Sequence, residues 1–96
     1  MEMRWSVAIQ TEGDEVMSVE RIVELADSVA KHDGVASGVG QAAYGAKLIV
    51  VAGSRAEAEA IGTAQFRAAV EEAQLPEWPI TRIDTISEEE EEAEDW

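Results

Sequence analysis

Lys47-Leu48-Ile49-Val50-Val51-Ala52 runs directly into Gly53-Ser54-Arg55-Ala56-Glu57, and the join between these two stretches decides the fold. The first is a short aliphatic run, apolar at successive positions and therefore on both faces, as a strand central to a sheet requires. Gly53 ends it. Ser54 with Glu57 three residues later is a capping box, in which the hydroxyl accepts from one of the orphan amides that open a helix. The helix predicted from Arg55 to about Gln74 carries Ala58, Ile61, Gly62, Phe66, Ala69, Val70 and Ala73 along one stripe. Gly62 costs about 1 kcal/mol of helix propensity and lets the helix approach its floor closely. Pro76 and Pro79 stop the helix, with Trp78 between them closing the end of the core, and Ile80 to Ile86 reads as a last strand.

Upstream the pattern repeats. Met3, Trp5, Val7 and Ile9 alternate with Arg4, Ser6, Ala8 and Gln10, the period of a half-buried strand over Met3 to Thr11. Thr11 to Glu15 breaks it with turn residues. Ser18 is the predicted N-cap of a first helix, with Glu20 in its first turn. Its apolar stripe reads as Val19, Ile22, Val23, Ala26, Val29 and Ala30, with Gly34 as the left-handed residue that closes it. Val35 to Tyr44, weakened by Gly38 and Gly40, reads as an irregular strand turning near Tyr44-Gly45-Ala46. The expected core is Trp5, Val7, Ile9, Ile22, Leu25 or Ala26, Val29, Phe66 and Val70.

The element order is thus β-α-β-β-α-β. With right-handed crossovers it predicts an α+β ferredoxin-like plait, a four-stranded antiparallel sheet with both helices on one face. Residues 1–86 form this domain, and residues 87–96 are an acidic tail expected to be disordered.

Charge narrows the partners. The chain has 21 acids and 7 bases, a net charge of −14. Ser87 to Trp96 holds seven of the acids and no base, so the remainder still stands at −7. Such a surface repels nucleic-acid backbones and anionic membranes and suits a basic protein partner. No cysteine is present, which excludes disulfides and thiolate chemistry. The start Met1-Glu2-Met3-Arg4-Trp5 has no basic, apolar leader pattern and no stretch has membrane-spanning length, so the expected location is cytoplasmic.

No stretch carries a convincing chemical motif. The glycines from Gly38 to Gly45 lead into a strand, whereas a phosphate loop must open a helix. Glu12, Asp14 and Glu15 lack calcium-loop spacing, and a solvated turn accounts for them. His32, the only histidine, sits at a helix end without a triad partner. Gly53-Ser54-Arg55 could meet a small anion, but Ser54 is already used by the cap. No catalytic residue, cofactor or metal is therefore expected, and the chain does not read as an enzyme.

The sheet face away from the helices is more informative. It should carry Arg4, Ser6, Ala8 and Gln10, beside either Ile49 and Val51 or Leu48, Val50 and Ala52. Both choices place branched apolar residues toward water, the mark of a contact surface. A small module that self-associates as a homodimer through this face follows, with Ile49 and Val51 as the candidate apolar contacts. Glu88, Glu89, Glu90 and Trp96 offer a second contact, an acidic segment ending in an aromatic anchor. Two alternatives use other residues. A small-molecule sensor of the ACT type would use the Glu12–Glu15 and Gly38–Gly45 stretches as ligand loops. An acidic decoy would occupy a basic, nucleic-acid-binding surface on another protein.

Overall fold

The computed structural model describes residues 2–31, 34–38 and 40–87. Six elements follow in order: β1 (Met3–Glu12), α1 (Val19–Ala30), β2 (Val35–Ser37), β3 (Ala43–Ala52), α2 (Arg55–Glu72) and β4 (Ile80–Ser87). The strands form one antiparallel sheet in the order β2-β3-β1-β4, so the fold is α+β with two helices on a four-stranded sheet.

β1 is central, and its alternation sorts the sheet into two faces. Trp5, Val7, Ile9 and Thr11 point into the core, opposite Val50, Leu48, Ala46 and Tyr44 of β3. Both helices bury their apolar sides in that same core. α2 does so with Ala58, Gly62, Phe66, Ala69 and Val70, nearly the predicted stripe, while Ile61 is only half-buried. Gly62 lies directly on β1, where an added Cβ would fall 2.8 Å from Val7 Cγ1. Its glycine is thus required by packing.

The end of α2 departs from the usual glycine cap. Gln74 takes the left-handed conformation at φ 59°. Its N–H donates to Glu71 O (3.1 Å) and the Leu75 N–H to Val70 O (3.1 Å), the paired bonds of a Schellman motif. Leu75 and Val70 are both buried beneath it.

Several expectations need correction. α1 is rotated roughly a quarter-turn from the predicted stripe: it buries Ile22, Leu25, Ser28 and Val29 and exposes Val19 and Val23. Leu25 is fully buried and the buried Ser28 is small, so this face fills the core while keeping the helix close to the sheet. Tyr44 is no turn residue. It is fully buried within β3, stacked on Trp78 with ring centroids 5.4 Å apart and 6.0 Å from Phe66. The turn lies earlier, where Gly38 and Gly40 have φ of 125° and 77°. Gly34 serves close packing instead of a left-handed bend, because an added Cβ would lie 2.8 Å from Val29 O and 2.9 Å from Lys47 O.

A bulge completes the frame. Gln10 pairs with Arg82, but Thr11 pairs with Ile80, so Thr81 is an extra residue on β4. That single insertion puts both Ile80 and Ile83 against the core, three positions apart on a strand whose natural period is two.

Candidate interaction face

The register assembles the second face of the sheet residue by residue. Arg4 lies opposite Val51, and Ser6 lies between Ile49 of β3 and Ile86 of β4. Ala8 lies between Lys47 and Asp84, Lys47 pairs onward with Val35 of β2, and Gln10 lies beside Arg82. All six residues expected on this surface, Arg4, Ser6, Ala8, Gln10, Ile49 and Val51, are therefore brought together on one face. Of the two choices open for β3, the structure selects Ile49 and Val51, and it turns Leu48, Val50 and Ala52 into the core.

Accessibility along the face is uneven. Val51 is 54% exposed and Val35 65% exposed, whereas Ser6 is only 5% exposed. Ser6 lines the face as expected but is not available at its surface. Val35, Lys47, Asp84 and Ile86 were missed as members. The side of Lys47 follows from alternation once Ile49 and Val51 face outward, whereas the sides of Val35, Asp84 and Ile86 depend on strand register, which the bulge at Thr81 and the brevity of β2 hide from sequence.

The charge of the domain is partitioned as well. Three of the seven bases, Arg4, Lys47 and Arg82, occur on this face, accompanied by the strand acids Glu12 and Asp84. The helices carry Glu20, Glu24 and Asp27 on α1 and Glu57, Glu59, Glu71 and Glu72 on α2, all exposed. The face thus divides into an apolar half around Val51, Ile49 and Ile86 and a more polar half around Lys47, Gln10 and Arg82. In the polar half a hollow of about 210 Å³ opens over Ala8, edged by Lys47, Ser37, Val35, Arg82 and Asp84. Arg82 Nε donates to Asp84 Oδ2 at 2.7 Å.

The stretches considered as ligand loops are also brought together, but against each other. Gly13 N donates to Ala42 O (2.9 Å), Met17 N to Gln41 O (2.9 Å) and Gly40 N to Met17 O (3.0 Å). Met17 is 1% exposed and anchors this junction, a core role its loop position conceals. Glu15 is paired with Arg21 at 2.9 Å, and among the described residues no three acid or histidine side chains gather as a metal site. At the start of α2, Ser54 Oγ accepts from Glu57 N (3.2 Å). Arg55 turns toward β4, donating to Thr85 O and lying 5.6 Å from the Trp5 ring centroid. His32, Glu88, Glu89, Glu90 and Trp96 lie outside the described residues.

A smaller apolar patch was not anticipated. Val19 and Val23, released by the rotation of α1, are 57% and 50% exposed, and Val16 in the loop before the helix is 64% exposed. Among the described residues no helix is long and apolar enough to cross a membrane. No family model, curated protein or solved structure matches the chain.

Proposed function

We propose that this chain is a small non-enzymatic interaction module, a ferredoxin-like plait that forms a homodimer through the open face of its sheet. The observation that carries this reading is the placement of Val51, Ile49 and Ile86 together on the face with the fewest acids. Full burial of such a branched side chain is worth roughly 1.5–3 kcal/mol, so a partner that dries this half gains several kcal/mol before association costs. Two acidic domains meet with least repulsion where their bases lie, and exposed charges are screened beyond about 8 Å at physiological salt. Sheets stack face to face at about 10 Å, which suits an antiparallel face floored by Ser6 and Ala8. The surplus of acid, seven residues of it beyond Ser87, supports a basic protein as a further partner in the cytoplasm, in preference to nucleic acid or membrane.

Light scattering after size exclusion tests the dimer. The expected mass is twice the 10.4 kDa of the chain, with the dimer strengthening as salt is raised. Val51→Lys sets a cation beside Arg4 at an exposed position and should return the single-chain mass with the fold intact. A single-chain mass for the parent across wide ranges of concentration and salt would overturn the reading.

A further inference from the structure

The valines that α1 turns outward have no use inside the domain. Val19 and Val23 are 57% and 50% exposed, and neither belongs to the core. Helix formation does not call for them either, since a branched Cβ loses rotamer freedom on a helix and alanine or lysine serves better at an exposed position. Their spacing sets them in line. Val19, Val23, Ala26 and Ala30 recur at intervals of four and three, one stripe roughly 16 Å long at 1.5 Å per residue. The two alanines keep its C-terminal half flat, with room for larger side chains brought by another molecule. One flank of the stripe is uniformly acidic. Glu20, Glu24 and Asp27 lie roughly a quarter-turn around the helix from the valines, all exposed. Among the described residues none of the three has an ion pair, whereas Arg21 is paired with Glu15 at 2.9 Å and Lys31 with Glu72 at 2.8 Å. Glu24 and Asp27 also rim a hollow of about 260 Å³ between α1 and the end of α2, with room for a cationic side chain.

We propose that this stripe docks a basic amphipathic helix of a partner protein, its apolar face on Val19 and Val23 and its lysines or arginines against Glu20, Glu24 and Asp27. Shape and charge together select that occupant. A straight apolar line on one helix matches the apolar line that another helix presents at intervals of three and four. The carboxylates beside it repel a second copy of α1, which carries the same acids, and repel the phosphates of membranes and nucleic acids. The proposal rests on the reading that a basic protein partners this acidic domain, and it gives that contact a place and a form. It is independent of the dimer, because α1 covers the face of the sheet opposite the one that the dimer uses.

Amide shifts of the full chain, titrated with a synthetic helical peptide of about four turns, test it. The peptide carries leucines along one face and lysines elsewhere. A scrambled peptide of the same composition and a version with glutamate in place of lysine are the controls. Saturable shifts confined to α1 and the loop before it are expected with the first peptide alone. Val19→Ser combined with Val23→Ser should weaken binding about tenfold, the loss of two apolar contacts. Glu24→Gln combined with Asp27→Asn should weaken it several-fold and flatten its salt dependence. All four positions are exposed, so both variants should keep the circular dichroism of the parent. Val51→Lys should leave the titration unchanged, so loss of the dimer and loss of docking are separately visible. Equal shifts with the scrambled peptide would keep a basic partner and overturn the stripe, and no shift with either lysine peptide would overturn both. A titration indifferent to the double serine variant would also overturn the proposal.

Discussion

At Gly62 two effects oppose each other and their sizes decide the outcome. Alanine there would recover about 1 kcal/mol of helix propensity. Its methyl would also meet Val7 Cγ1 at 2.8 Å and Cβ at 2.9 Å, and Val7 is fully buried with nowhere to move. Overpacking of this kind costs roughly 1–3 kcal/mol, so Gly62→Ala should destabilise on balance, read as a lower urea midpoint. Gln74 presents the reverse case. A side chain in the left-handed region costs about 1–2 kcal/mol, so Gln74→Gly should stabilise by about 0.5–1 kcal/mol after the glycine's extra unfolded freedom is subtracted. Ser54→Ala, which strips the cap from α2, should cost about 1 kcal/mol. Tyr44 links a residue to pH. Burial pushes its phenol above the ordinary value of 10.0, so the folded state holds the proton more tightly than the unfolded state. The stability this contributes is complete below pH 10 and is lost as pH rises through the folded value. As the only tyrosine, its phenolate absorbance should appear together with unfolding, and Tyr44→Phe should make the alkaline loss of stability shallower. A titration at the ordinary value in a chain that stays folded would contradict this.

The elements differ in how plainly the sequence announces them. β1 and β3 are legible because their patterns are carried by large residues: Trp5, Val7 and Ile9 alternate, and Leu48 to Val51 is apolar throughout. α2 is legible because a capping box opens it, two prolines follow it, and Phe66 marks its face. Phe66→Ala should therefore cost roughly 3–5 kcal/mol, with a correspondingly large fall in the melting temperature. α1 is not legible in the same way. Valines and alanines on one flank balance Leu25 on the other, and only shape complementarity with the sheet chooses between them. Tyr44 was hidden by its neighbours, since a tyrosine among glycines reads as a turn until Trp78 and Phe66 are known to enclose it. The candidate face was half legible. The β1 residues followed from alternation alone, but its β4 members depend on the bulge at Thr81, and a bulge leaves no mark in hydrophobic pattern.

Taken as a whole, the domain separates charge across its thickness. Acids crowd the exposed sides of α1 and α2, while Arg4, Lys47 and Arg82 stand on the open sheet. Partners of opposite character should therefore engage opposite sides, a basic protein the helices and an apolar or anionic one the sheet. Salt should separate the two kinds of contact. Rising ionic strength should weaken capture of a basic partner and strengthen the sheet-mediated dimer, opposite signs from one molecule under one titration. Equal weakening of both would place the dimer contact on charged groups and away from Val51 and Ile49.

The junction of Gly13, Met17, Gly40 and Gln41 gives the irregular part of the chain an unusual timescale. Loops ordinarily exchange their amide hydrogens quickly because small local openings expose them. Here the amides of Gly13, Met17 and Gly40 are donated across the junction, and Met17 is sealed beneath it. Freeing any one of them requires the first loop to part from the turn between β2 and β3. These three amides should exchange as a group and as slowly as strand amides, and Met17→Ala should release all three at once.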